Sequence, residues 1–381
     1  MLIPVFAMER MQSTWENLVD YNLSESGVHP MRVEELLDGA ADRDGFLGQE
    51  LGYNQSNGTV ALRERIAAMY PGATAEHVEV TNGGSEANFV TMWHLVEPGD
   101  EVVCMVPNYG QTPGLAEGFG GLMKPWPLRL SADGRRWQSD LDDLRRLVTN
   151  KTRVVILCNP NNPTGARMPA ADLDEICRIA GRVGAWVLSD EIYRGAELDG
   201  VETPSVWGRY ERAVITSGLS KAYGLPGLRI GWIVSAPEVV AATWSRHDYT
   251  SIAPGTLSDR LACIALQPST RAKILARTRR ILHANLPVIT GWLDAHQDRF
   301  NYAPPEAGAI VYVRYGDAVN STDLVERLRV EKSVLIVPGD HFGMDGYLRI
   351  GFGSETRYLR DGLDRLADLL RSLPGTAPAR S

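Results

Sequence analysis

Short apolar runs, each closed by polar or turn-forming residues, recur at 77–80, 102–106, 154–158, 186–189, 213–216 and 231–235. Runs of this length suit strands buried on both faces, where successive side chains all meet apolar neighbours. Between them, 89–96, 141–148 and 173–180 carry apolar residues at helical spacing. The alternation predicts an α/β fold with a mostly parallel sheet covered on both faces. Further on, an Arg- and Leu-rich helical pattern over 269–296 leads to strand patterns at 309–315, 334–337 and 347–352. A last helix over 357–373 places Leu359, Leu363, Leu366 and Leu370 on one face. Residues 48–285 are expected to form a large domain, and 1–47 with 286–381 a smaller α+β domain. The tail after Pro374 reads as disordered.

Polar and glycine-rich clusters interrupt this pattern at the predicted strand ends, where open α/β sheets bind ligands. TNGGSEAN, residues 81–88, opens a helix and leaves the backbone N–H groups of Gly84 and Ser85 free for a phosphate. NPNNPTG, residues 159–165, contains two Asn-Pro pairs that force a turn. The turn presents the Asn162 amide, and the Asn162–Pro163 bond is expected to be cis. WVLSDEIY, residues 186–193, delivers Asp190 and Tyr193. Asp190 suits a protonated pyridine nitrogen and Tyr193 a phenolic oxygen, although a helix cap and a core side chain would use the same residues.

SGLSKAYGLPGLRIGW, residues 217–232, sets Lys221 among hydroxyls with Arg229 downstream. A lysine amine forms a Schiff base with an aldehyde, while Ser217, Ser220 and Arg229 offer donors to a phosphate. Together they describe a seat for pyridoxal phosphate. Gly224, Gly227 and Gly231 let the backbone turn around it.

Taken in order, TNGGSEAN, PNYG, NPNNPTG, SDEIY, SGLSKAYGLPGLRIGW and YLRIGFG resemble the class I/II aminotransferase family of fold type I pyridoxal phosphate enzymes. The resemblance covers about residues 50–353 and is specific because six motifs recur together. It implies a homodimer with shared active sites, amino acid and keto acid substrates, and ping-pong transfer of an α-amino group. It also implies roles: Lys221 as the Schiff-base lysine, Asp190 on the pyridine nitrogen, and Tyr193 with Asn162 on the phenolic oxygen. Tyr109 would stack on the ring, Tyr53 would reach the neighbouring subunit's phosphate, and Arg349 would grip the substrate α-carboxylate with a bidentate fork.

Two departures stand out. Gly218 occupies a position where the family commonly has Ser or Thr, so a phosphate hydroxyl is missing or supplied by Ser217. Near the N-terminus, LSESGVHP, residues 23–30, resembles a loop of capreomycidine synthase-like enzymes, which cyclise a hydroxylated arginine instead of transaminating it. That makes a lyase or cyclase the alternative reaction and brings Gly27, Val28 and His29 toward the substrate, with His29 an extra acid or base. Glu16 and Asp248 would recognise a cationic side chain if their loops reach the site.

Composition narrows the rest. The chain has 381 residues, 44% of them hydrophobic, enough for a large core and two domains. A formal net charge of −8, with charges dispersed along the chain, argues against nucleic acid. No apolar run reaches the roughly 18 residues of a membrane span, and MLIPVFAMER lacks the layout of a signal peptide, so the expected compartment is the cytoplasm. Cys104, Cys158, Cys177 and Cys263 have no CxxC spacing and read as buried apolar residues; no metal is expected. A cofactor-sensing DNA-binding regulator is disfavoured, because fewer than about 50 residues precede the match.

Overall fold

A computed structural model describes residues 3–37, 39–316 and 319–372; the tail after Pro374 lies outside them. An eight-stranded sheet runs in spatial order Val78–Thr81, Gly231–Val234, Ala213–Gly218, Trp186–Asp190, Thr152–Cys158, Glu101–Val106, Leu122–Leu130 and Trp137–Ser139. The five strands from Ala213–Gly218 to Leu122–Leu130 pair in parallel, whereas Gly231–Val234 is antiparallel to both its neighbours. The central strands are buried along nearly their whole length, as continuous apolar runs require.

Strand Leu122–Leu130 falls outside the predicted set, since Pro125 and Pro127 disguise it. It tolerates them near the edge of the sheet: its outer partner Trp137–Ser139 pairs only from Leu128 onward. A second sheet of four strands contains Phe300–Tyr302, Ile310–Tyr315, Tyr347–Gly351 and Val337–Pro338. The single strand expected at 334–337 is instead two. Val334–Leu335 pairs in parallel with Tyr21–Asn22, and beyond Ile336 the chain changes partner to Tyr347–Gly351.

Helix Pro268–Ala295 runs unbroken through residue 286 and joins the regions that carry the two sheets. The last helix, Thr356–Ser372, buries Leu359, Leu363, Leu366 and Leu370 as predicted. The N-terminal segment forms a helix, Ala7–Trp15, that the apolar pattern did not reveal. Among the described residues no helix is long and apolar enough to cross a membrane.

Candidate active site

Parallel strands send their C-terminal ends to one edge of the sheet, and the loops leaving those ends enclose a cavity of about 260 Å³. Strand Val78–Thr81 leads to Gly84 and Ser85, Glu101–Val106 to Tyr109, Thr152–Cys158 to Asn162, Trp186–Asp190 to Tyr193, and Ala213–Gly218 to Ser220 and Lys221. All of these line the cavity, together with Asp190, Arg229 and Arg349. The Asn162–Pro163 bond is cis, as are Val106–Pro107 and Asn159–Pro160.

The floor holds Asp190. Its carboxylate accepts from Asn88 Nδ2 at 3.0 Å and from the Ile192 N–H at 3.1 Å, while Asn88 Oδ1 accepts from Thr216 Oγ1 at 2.7 Å. Burial pushes the Asp190 carboxyl above its usual range despite those donors. A buried carboxylate served only by neutral donors suits a cationic ring nitrogen.

At one end, helix Gly84–Leu95 points its N-terminus into the cavity. Gly83 before it has φ +87°, and Gly231 packs so closely that an added Cβ there would lie 2.4 Å from Gly84 N. Arg229, itself in the left-handed region at φ 49°, lies against this turn: a Cβ on Gly83 would be 2.3 Å from Arg229 Nη2. A guanidinium facing the positive end of a helix is an unfavourable pairing unless an anion sits between them, which a phosphate would do.

Arg349 forms the opposite wall at 1% exposure. Its partners are neutral: Nη1 donates to Asn162 Oδ1 at 2.8 Å and Nη2 to the Ser24 carbonyl at 2.6 Å, while Nε has no partner. A buried guanidinium with no carboxylate at ion-pair distance among the described residues, and only the more distant charges of Glu25 and Glu9 acting on it, is a ready carboxylate site. Tyr193 donates to Ser26 Oγ at 2.8 Å, and Tyr109 to Glu9 Oε1 at 2.8 Å.

Three carboxylates ring the mouth. Glu9 and Glu16 come from the N-terminal helix and the residue that follows it, and Glu25 from the segment after Tyr21–Asn22. Glu25 Oε2 lies 3.5 Å from Lys221 Nζ, whose charge holds the Glu25 carboxyl below the usual range. The Glu16 carboxyl is pushed up by burial and by the charges of Glu25 and Glu9.

Other candidates lie elsewhere. Ser217, offered as a substitute hydroxyl, instead donates to the Glu191 carbonyl at 3.1 Å and does not line the cavity. No Ser would fit at 218, because a Cβ there would stand 2.8 Å from the Ile230 carbonyl. Gly27 lies against Lys221, a Cβ on it being 3.3 Å from Lys221 Cα, whereas Val28 is buried beside Gly224. His29 does not line the cavity: its Nδ1 lies 3.0 Å from Arg277 Nη2, and its backbone N–H donates to Gly353. Asp248 caps helix Pro237–His247 away from the cavity, while Tyr53 is 95% exposed.

Sequence reasoning missed Asn88, Glu9, Gln12, Glu25 and Ser26. Asn88 stands one helical turn after Gly84 within a motif already singled out. Glu9, Gln12 and Glu16 share one helical face, but a polar face usually means solvent.

Residues 27–366 match the family model described as aminotransferase class I and II. The chain is 32% identical over 355 residues to capreomycidine synthase of Streptomyces vinaceus, covering 92% of this chain and 89% of that one. Among solved structures, a PLP-dependent aminotransferase from Streptococcus suis 89-1591 superposes with a TM-score of 0.91 at 32% identity, over 99% of this chain and 100% of that one. The PLP-dependent cyclase OrfR superposes with a TM-score of 0.87 at 28% identity, over 98% of each.

Proposed function

The chain belongs to the class I and II aminotransferase family and is a pyridoxal phosphate-dependent enzyme, and from that premise we propose that it acts on an L-α-amino acid with a cationic, guanidine-like side chain. We propose further that it removes a β-hydroxyl as water and closes a ring. The observation that carries the reading is the set of three carboxylates, Glu9, Glu16 and Glu25, that line the same cavity as Arg349. Among the described lining residues the cations are Lys221, Arg229 and Arg349. Each already has a task, so the second carboxylate of aspartate or glutamate would meet only like charge.

The cofactor, bound through Lys221, supplies a sink for the electrons released at Cα. In this reading Ser220, Arg229, Gly84 and Ser85 would hold its phosphate, and Asp190, positioned by Asn88, would keep its ring nitrogen protonated. Tyr193 and Asn162 would serve its phenolic oxygen, and Tyr109 would supply an aromatic surface to its ring. Arg349 fixes the α-carboxylate, and the freed Lys221 amine takes the Cα proton and later returns it. Glu16, its carboxyl pushed upward, delivers a proton to the departing β-hydroxyl as the C–O bond breaks. A side-chain nitrogen then bonds to Cβ and returns a proton to Glu16, so the net change is loss of water. The similarity to capreomycidine synthase and to the cyclase OrfR supports this exit. Transamination is the second reading, favoured by the family match itself. The exposed side chains of Leu47, Leu51 and Tyr53 support a homodimer in which Tyr53 enters the neighbouring site.

The test is substrate charge. Replacing Glu9 and Glu25 with Gln, which leaves the acid Glu16 in place, should lower kcat/KM for a guanidine side chain relative to its neutral ureido isostere by about tenfold or more. An unchanged ratio would remove the carboxylates from recognition.

A further inference from the structure

Behind the helix N-terminus that faces the cavity lies a buried cluster the mechanism does not use. His247, the last residue of helix Pro237–His247, has its ring between two carboxylates. Nδ1 is 3.3 Å from Glu79 Oε1, on strand Val78–Thr81, an ion-pair distance at which neither atom has a hydrogen-bond partner, and Nε2 is 3.2 Å from Glu86 Oε2, in the first turn of helix Gly84–Leu95, and 3.0 Å from Ser251 Oγ. Both His247 and Glu79 are wholly buried. Glu86 gathers the surrounding chain. It accepts the Asn82 N–H at 2.6 Å and the hydroxyls of Thr250 and Ser251, each at 2.6 Å. Asn82 Nδ2 in turn donates to Ser251 Oγ at 2.6 Å and to the Ala253 carbonyl at 3.0 Å.

The cluster therefore ties the strand end, the Asn82–Gly83 turn, the start of the helix and the 247–253 segment into one unit. Its connections continue to the loop that carries Tyr53, because Asn54 Nδ2 donates to the Pro254 carbonyl and Thr256 Oγ1 to the Gly52 carbonyl. A neutral imidazole has one N–H and would turn a lone pair toward one of the carboxylates, whereas an imidazolium donates to both.

We propose that His247 is a positioning residue for phosphate binding: as an imidazolium it clamps Glu86, and through it fixes the Asn82–Ser85 turn against Arg229. The proposal rests on the reading that Gly84, Ser85 and Arg229 hold the cofactor phosphate. Glu79 from the strand and Glu86 from the facing helix are the carboxylates within ion-pair distance of the ring among the described residues. On its own helix, Arg246 donates to the Ala242 carbonyl and acts on His94. Burial alone would lower the imidazole pKa, but the two adjoining carboxylates of Glu79 and Glu86 outweigh it and push it up to about 9. The Glu86 carboxyl is held at about 2 by hydrogen bonds from His247, Ser251, Thr250 and Asn82 that outweigh its burial. The clamp is thus intact well below pH 9 and lost as pH rises through about that value.

Binding of pyridoxal phosphate and of phosphate-free pyridoxal to the apoprotein, measured from pH 7 to 10 on wild type and His247→Gln, separates the possibilities. Wild type should prefer the phosphate ester, and that preference should fall about tenfold as pH rises through about 9. His247→Gln should show the weakened preference throughout, with pyridoxal binding unchanged. A wild-type preference that is independent of pH, or a variant that loses both ligands equally, overturns the clamp while leaving the phosphate site intact. If the variant does not fold, the wild-type pH profile decides alone. Equal binding of both ligands to wild type would overturn the phosphate-site reading itself, and the clamp with it.

Discussion

Lys221→Ala is expected to lower turnover by about 10⁴-fold or more, while the folded protein still binds pyridoxal phosphate without a covalent bond. Under the proposed reading two functions would leave with one amine: the link to the cofactor and the base that takes the Cα proton. The fold should survive, because the Lys221 side chain is partly exposed and makes one ion pair, with Glu25. Losing that partner removes the charge that holds the Glu25 carboxyl low, so its pKa should rise toward the usual range. Borohydride reduction followed by peptide mapping should place the cofactor on the Lys221 peptide in wild type and on no peptide in the variant. A small primary amine should restore part of the activity by standing in as the base. A covalent chromophore that survives the substitution would exclude Lys221 from this role.

Arg349→Ala should cost about 10²- to 10³-fold in kcat/KM for α-amino acids and far less for the corresponding decarboxylated amines. The guanidinium is buried with two neutral partners and an unpartnered Nε, so a substrate carboxylate would satisfy a group the fold leaves open. Arg349→Lys should recover only part of the loss, because an ammonium cannot reproduce the bidentate fork. Truncation also strips a donor from Asn162 Oδ1 and from the Ser24 carbonyl, so some of the effect falls on packing. The comparison of acid with amine isolates the carboxylate share. Equal losses for both would place Arg349 among structural residues.

The sheet was legible because its strands are continuous apolar runs, and the cavity floor because its residues follow those runs directly. Asp190 ends the strand Trp186–Asp190, Lys221 lies three residues beyond Ala213–Gly218, and Asn162 lies in a turn that its prolines define. Leu122–Leu130 was hidden by Pro125 and Pro127, which the edge of the sheet accommodates. The mouth was harder to read for a different reason. Glu9 and Gln12 look like the solvent face of an amphipathic helix, and only the tertiary position of Ala7–Trp15 turns that face toward Lys221 and Arg349. Glu25 sits in a motif that was noticed for its neighbours Gly27, Val28 and His29, yet among these it is Glu25 that reaches the lysine amine. The His247 cluster joins residues more than 150 positions apart, and no local pattern announces it.

Cyclisation is tested most directly by mass spectrometry of the products formed when the holoenzyme meets an arginine hydroxylated at Cβ without any keto acid. Repeated turnover is expected to a product lighter by one water, with every nitrogen retained and the cofactor returned to Lys221 each time. A keto acid formed once per active site, with the cofactor left in its amine form, would contradict the cyclisation and establish transamination in its place.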